Sequence, residues 1–336
     1  MSLVRVALVG CGIISEVHIR AYKQHADRAK IVVCCDIDEN KARDRAALVG
    51  DARATTNLAE VLADPNIDAI EVCTPHHLHT DIVVAAAKAG KHIMCQKPLA
   101  KTIEECDQMI NAAREAGVTL FYGETNYTLP SVQKAKQLIE EGLIGRLVGL
   151  QVTYAHWQGG EYLSTAWRYD PRISGGGQLL DGGIHYIAMM LAVGGPITSV
   201  SCFSQRFRPE LGGEDTAVLN ARFEGGHLGS LFSTQAAGVW FPNSPFVAFG
   251  TEGILTIGGS HGPLALHRPD QKDGPEVLIK EAPHPFVAMT GSFLDCVCDD
   301  KPNISPGEVG RESLRVVLAA YKSVQEKREI EVAHQW

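Results

Sequence analysis

The stretch from Val4 to Ser15, Val-Arg-Val-Ala-Leu-Val-Gly-Cys-Gly-Ile-Ile-Ser, constrains the fold more than any other part of the chain. It opens as a short valine-rich run and breaks into two glycines one residue apart, Gly10 and Gly12. It then turns helical through Val17, Ile19, Ala21 and Tyr22. Strand, tight glycine turn and helix make the first half of a dinucleotide-binding βαβ unit. Gly10 permits the sharp turn, and Gly12 has no Cβ to hold a pyrophosphate away from the backbone. The helix that begins at Ile13 and Ile14 then offers its unpaired N–H groups and positive dipole end to the phosphates, so these two residues count as cofactor contacts. Ser15 takes the place of the usual third glycine and is small enough for close helix–strand packing.

Asp36 strengthens this reading. It ends a second apolar run, Ile31 to Cys35, at about the distance where a carboxylate reaches the adenosine ribose hydroxyls. An acid there accepts hydrogen bonds from both hydroxyls and repels a 2′-phosphate, so NAD is expected in preference to NADP. The competing role for Asp36, capping the next helix, is one that Asp38 can also fill.

At 336 residues the chain fits two domains. With a net charge of −8 and no basic run, no nucleic-acid partner is expected. No apolar stretch reaches bilayer-spanning length, and the chain runs almost at once into its first strand, so a cytoplasmic location is expected. The nine cysteines are scattered and read as small core residues. Cys296 and Cys298 point to different faces of a helix and no second pair exists, so no metal site is expected.

Strands and helices alternate up to the strand Val118–Tyr122, which predicts a doubly wound parallel sheet over residues 1–123. Ligands in such sheets sit beyond the carboxyl ends of the strands, where Thr74, Pro75 and Lys97 fall. The composition changes near residue 123. Residues 124–336 are expected to form a mostly antiparallel sheet with flanking helices, the last of them near 309–327.

Two places concentrate polar groups. Lys97 ends a strand and is held extended by Pro98. Asp181 and His185, four apart on one helix face, follow Gly175, Gly176 and Gly177, which let the backbone approach a ligand. By themselves these residues fit a surface ion pair, a metal pair or an acid/base pair.

Together they carry a resemblance. The sequence resembles the Gfo/Idh/MocA oxidoreductase family through Gly10-Cys11-Gly12 with Ser15 and His18, Asp36, Thr74-Pro75 with His79, Lys97-Pro98, Trp167-Arg168, Gly175–Gly177 with Asp181, Gly183 and His185, and the closing Ala320–Ser323. The resemblance implies a Rossmann domain plus an open-faced mixed sheet, a last helix near 309–327 packing back toward the first domain, a homodimer or homotetramer through that sheet, and oxidation of sugars or polyols. It makes Lys97 the catalytic lysine and Asp181 with His185 the substrate-binding and acid/base pair. Trp167 and Arg168 would lie against cofactor or substrate. Thr74, Pro75, His79 and Gln96 join the cofactor contacts.

Three departures stand out. Gln96 replaces the family's glutamate before the lysine, removing a charge that would favour protonated Lys97. Ala188 stands where many members carry an aspartate, and Asn126-Tyr127-Thr128 where an arginine is common. A neutral, hydroxyl-rich substrate follows, with Asn126, Tyr154, His156, Trp157, Tyr162 and Trp167 near it. The preferred reaction oxidises an aldose at its anomeric carbon to a lactone. An inositol dehydrogenase or keto-sugar reductase is the near alternative. A non-catalytic NAD-bound regulator or a retained-cofactor hydrolase is the alternative of another class.

Overall fold

Valine-rich runs separated by amphipathic helices leave no choice but to bury the runs on both faces, and the chain does so first as a parallel sheet. The structure is a computed structural model that describes residues 3–159, 167, 170–239, 245–259 and 262–333. Its chain divides into two compact units, Met1–Glu124 with Phe286–Arg311, and Thr125–Pro285 with Glu312–Trp336.

The first unit contains β1 (Val4–Val9), α1 (Ile13–Lys23), β2 (Ala29–Cys35), α2 (Glu39–Val49), β3 (Arg53–Thr55) and α3 (Leu58–Ala63). It continues with β4 (Ala69–Val72), α4 (His79–Lys88), β5 (His92–Gln96), α5 (Ile103–Ala116) and β6 (Leu120–Gly123). The strands pair in parallel in the order β3-β2-β1-β4-β5-β6, the doubly wound arrangement the sequence predicts. Local chemistry sets the element ends. Asp38 caps α2 by accepting from the Asn40 and Lys41 N–H groups, and Thr102 with Glu105 closes a reciprocal capping box on α5.

The second unit begins with α6 (Pro130–Glu140), β7 (Leu147–Ala155) and the short α7 (Pro171–Ser174). A π-helical turn, Leu179–Gly183, then runs straight into α8 (Ile184–Gly194). The strands β8 (Ile197–Gln205), β9 (Thr216–Phe223), β10 (Leu228–Thr234), β11 (Pro245–Gly250), β12 (Ile254–Gly258), β13 (Leu264–His267) and β14 (Glu276–Ile279) follow. With β7 and the final β15 (Ile330–Glu331) they form one sheet, ordered β14-β13-β12-β11-β7-β10-β9-β8-β15. Its pairs are antiparallel except β7 with β10.

The expected single boundary after residue 123 differs from this division in one respect. The segment Phe286–Arg311 groups with the first unit, and only from Glu312 does α10 (Gly307–Glu326) belong to the second. The physical reason is α9 (Pro285–Asp299), whose Met289, Phe293 and Leu294 join Val4, Tyr22, Met94 and Phe121 in one buried cluster. Phe293 is fully buried and meets Phe121 edge-on at 5.8 Å, so its removal would cost about 3–5 kcal/mol. All nine cysteines are free thiols, seven of them buried. No helix among the described residues is long and apolar enough to cross a membrane.

Candidate active site

The nucleotide-binding features of the first unit start at the end of β1. Gly10 has a φ of +92°, and a Cβ there would lie 2.6 Å from the carbonyl carbon of Cys73 and 2.8 Å from the Thr74 nitrogen. No other residue fits this turn. Gly12 differs, since a Cβ there would meet nothing within 4 Å. It is the N-cap of α1 and supplies no side-chain cap, so the first N–H groups of α1 are left to a ligand. Ile13 is exposed at this end, while Ile14 packs partly into the core. Thr74 Oγ1 is buried without a protein partner. Open space, uncapped donors and an orphaned hydroxyl fit a dinucleotide.

Asp36 sits half-buried at the end of β2. Its Oδ2 accepts from the Cys11 N–H at 2.7 Å and its Oδ1 from the Asp38 N–H at 2.9 Å. The helix cap is therefore Asp38, and Asp36 ties the glycine turn to the second strand. Arg45, which the sequence reading missed, braces the same turn. Its Nε donates to Ser15 Oγ at 3.0 Å, and Ser15 Oγ in turn donates to the Gly12 carbonyl. Nothing in the sequence sets Arg45 apart from a solvated arginine on an amphipathic helix.

At the end of β5 the backbone carries Lys97, half-buried, into a cis peptide with Pro98. His79 links this end to the end of β4. Its Nδ1 lies 3.0 Å from the Pro98 carbonyl oxygen and 3.2 Å from that of Leu99, while Nε2 lies 2.9 Å from that of Thr74. Burial pulls His79 below the usual histidine range against the pull of these three carbonyls. The ring is wholly buried and turns both nitrogens toward main-chain carbonyls, so it braces Thr74, Pro98 and Leu99 and turns neither nitrogen toward a cofactor. Gln96 is likewise turned inward, its Nε2 donating to His18 Nε2 at 2.7 Å.

In the second unit the polar cluster centres on Tyr154. Its ring packs against His156 at 4.5 Å and Tyr186 at 4.6 Å. Asp181 is close enough to act on both Tyr154 and His156. Burial, then Tyr186 and Asp181, push the Tyr154 phenol well above its usual range, so it stays a neutral donor. Burial pulls His156 down, with the Trp157 backbone and Asp181 opposing. Gln178 Nε2 lies 3.4 Å from His156 Nε2 and donates to Ser233 Oγ at 3.3 Å. Gly182 leaves no room for a side chain, since a Cβ there would lie 2.6 Å from Gln178 Nε2 and 2.7 Å from Tyr154 Cε1.

Asp181 lies in the π-helical turn and His185 in the first turn of α8, both half-buried. Such turns concentrate at functional sites. The start of this helix is fastened by Glu214, which the sequence reading missed. Its Oε1 accepts from the Leu179 N–H at 2.8 Å and from the Tyr321 hydroxyl at 3.0 Å. Its carbonyl takes the Gln178 N–H at 2.7 Å, and the Gly177 N–H donates to Tyr321 Oη at 3.2 Å. A Cβ on Gly177 would collide with Glu214. Burial pushes the Glu214 carboxyl up against these hydrogen bonds.

Asn126 is buried in the second unit, Trp157 is half-exposed beneath the Arg208 guanidinium at 4.1 Å, and Trp167 is half-buried. Arg168 and Tyr162 lie outside the described residues.

Comparison with known proteins agrees with this geometry. Residues 4–124 match the family model described as an oxidoreductase family with an NAD-binding Rossmann fold, GFO_IDH_MocA. Residues 132–256 match the GFO/IDH/MocA C-terminal domain. The chain is 30% identical to a levoglucosan dehydrogenase of Pseudarthrobacter phenanthrenivorans over 76% of its own length and 74% of the relative's. It is 28% identical to a myo-inositol 2-dehydrogenase of Thermotoga maritima over 98% of each chain. A solved levoglucosan dehydrogenase, in complex with NADH and levoglucosan, superposes with a TM-score of 0.89 at 24% identity, covering 99% of this chain and 100% of that one.

Proposed function

Since this chain belongs to the Gfo/Idh/MocA oxidoreductases and carries their NAD-binding Rossmann domain, we propose that it oxidises a neutral sugar or polyol with NAD in preference to NADP. The observation that carries this reading is the cluster around Tyr154. Aromatic faces, a phenol held neutral, an amide and one carboxylate suit a hydroxyl-rich ligand without charge. The preferred substrate is an aldose oxidised at its anomeric carbon to a lactone. The names of the relatives favour a second reading, in which a ring carbinol of a cyclic sugar or polyol is oxidised to a ketone.

The backbone at Gly10 and Gly12, the start of α1, Asp36, Thr74 and Pro75 would hold the dinucleotide. NAD, when bound, accepts the hydride. His185 removes the proton of the reacting hydroxyl, a task suited to a histidine's ordinary range. Lys97 hydrogen-bonds that same oxygen and stabilises the charge developing on it. Asp181 orients the remaining hydroxyls and His185. His79 and Glu214 act at one remove, through the backbone they hold.

The exposed face of the second sheet supports self-association as a dimer or tetramer. Phe203 pairs with Val218, and Val218 with Phe232, in one row across β8, β9 and β10. Phe203 is 71% exposed and Phe232 39%. Such apolar rows mark interaction surfaces.

The experiment is NADH formation with aldoses, inositols and deoxy sugars, repeated with NADP, with the product identified as lactone or ketone. A strong signal with one aldose and NAD supports the preferred reading, and a ketone product supports the second. Silence across the panel despite NAD binding, or turnover without release of free NADH, would replace both by a keto-sugar reductase, a retained-cofactor hydrolase or a regulator.

A further inference from the structure

A carboxylate in the middle of a parallel strand is out of place, because strands covered on both faces are close to continuously apolar. Glu71 is fully buried within β4, between Ile70 and Val72. Its oxygens are nevertheless engaged. Oε2 accepts from the Tyr22 hydroxyl at 2.9 Å. Oε1 lies 3.0 Å from His18 Nδ1, a close ion-pair contact without full hydrogen-bond alignment. The other nitrogen of His18 is the one that meets Gln96 at 2.7 Å. The parallel register Glu71↔Met94 and Val72↔Cys95 puts Glu71 and Gln96 on the same face of the sheet. Helix α1 supplies both His18 and Tyr22 to that face. Side chains from α1, β4 and β5 thus form one buried chain that ends a single residue before Lys97.

The polarity of this chain is determined by its ends. The carboxamide nitrogen of Gln96 only donates, so His18 Nε2 accepts and the hydrogen of a neutral ring lies on the nitrogen facing Glu71. In this arrangement Nε2 requires a donor. The carboxamide of Gln96 supplies one. An ionised glutamate at that position would not. The carboxamide at residue 96 and the buried acid at residue 71 are therefore matched across His18.

We propose that Glu71, His18 and Gln96 form a buried relay that positions Lys97 at the end of β5, with the Glu71 carboxylate standing in for the one the family carries at residue 96. The inference rests on the reading of Lys97 as the residue that serves the reaction. None of the three touches substrate, and they are positioning residues.

The test is a double-mutant cycle on the full-length protein with Gln96→Glu, Glu71→Gln and both together. Gln96→Glu alone sets two acceptors against His18, and kcat is expected to fall about tenfold or more with a lower Tm, while NADH affinity stays within about threefold. The double variant restores a donor–acceptor sequence of opposite sense. The carboxamide introduced on β4 donates to His18 Nδ1, and His18 Nε2–H donates to the carboxylate introduced on β5. This variant is expected to return to within about threefold of the parent kcat. If Gln96→Glu alone does not fold, a folded double variant is itself the rescue. Additive losses in the cycle overturn the relay. So does stoichiometric zinc in the purified protein that Cys73→Ser removes, because the donor atoms of His18, Glu71 and Cys73 lie within 4.8 Å of one another. Tm and NADH fluorescence need no sugar. A cooperative cycle in Tm with no sugar oxidised sinks the dehydrogenase reading alone, and an active parent with an additive cycle sinks the relay alone.

Discussion

The helix starts at α1 and at the π-helical turn before α8 both follow glycines, yet one is open and the other is plugged. At α1 the cap is Gly12, which brings no side chain, and open space lies where its Cβ would be. Before α8, the Gly177 and Leu179 N–H groups are already taken by Tyr321 and Glu214. An open helix N-terminus attracts an anion, whereas a terminus filled by the protein's own buried carboxylate repels one. The first unit is thus built for phosphates from its main chain. The helix start in the second unit offers neither the Gly177 nor the Leu179 N–H group to an anion, because side chains of the protein already hold both.

The largest expected effect separates chemistry from binding within the first unit. Lys97→Ala is expected to lower kcat about a thousandfold while NADH affinity changes less than about threefold. Near-normal turnover in that variant would remove Lys97 from the mechanism.

Next come the two glycines of the open turn, which differ from each other. Gly10→Ala drives a Cβ into the backbone of Cys73 and Thr74 at positive φ, and a loss of about 3 kcal/mol or more in stability is expected by urea denaturation. Gly12→Val meets no protein atom at its Cβ, so Tm should hold while NADH affinity falls about tenfold or more. Equal effects at both positions would abolish the distinction between a turn glycine and a phosphate glycine.

The plugged helix start has its own signature. Glu214→Ala leaves the Leu179 N–H and the Tyr321 hydroxyl without their shared buried acceptor, at a cost of about 2–4 kcal/mol. The pH dependence follows from the raised carboxyl of Glu214. A raised folded-state value contributes stability that is full below the ordinary glutamate range and is lost as pH rises through the folded value. The Tm difference between Glu214→Gln and the parent should therefore shift in favour of the variant as pH rises from the ordinary glutamate range toward neutrality. A difference flat across that range would mean that burial does not govern this carboxyl.

Much of this was legible in the sequence, and the reason is periodicity. Strand and helix patterns act locally, so β9 alternates buried and exposed residues along its length and stops just before Gly225 and Gly226. The turn at Gly10 and the place of Asp36 at the end of β2 were legible because both rest on backbone geometry at fixed spacing. The braces were not. Glu214 and Tyr321 are 107 residues apart, and Arg45 is 30 from Ser15, so nothing in a local window joins them. Glu71 is the exception. A charge inside an apolar run was in plain view, and only the partner across the fold, His18, was missing. The segment Phe286–Arg311 was unreadable for a similar cause, because an amphipathic helix announces a buried face without saying which sheet covers it.

The smallest effect probes the anion side of the comparison most finely. Asp36 uses one oxygen on Cys11 and the other on Asp38, yet an ionised carboxylate has about four lone-pair sites, so each oxygen keeps capacity for a ribose hydroxyl. Its charge opposes a 2′-phosphate, and its shape holds the turn. Asp36→Asn keeps the shape in part and removes the charge. The ratio of kcat/KM for NAD over NADP is expected to fall about tenfold, with a Tm loss of only a few degrees from the weakened backbone bonds, roughly 1 kcal/mol. An unchanged ratio with the same Tm loss would leave Asp36 as a brace of the glycine turn, in the class of Glu214, and the selectivity of the open helix start would then have to come from its main chain alone.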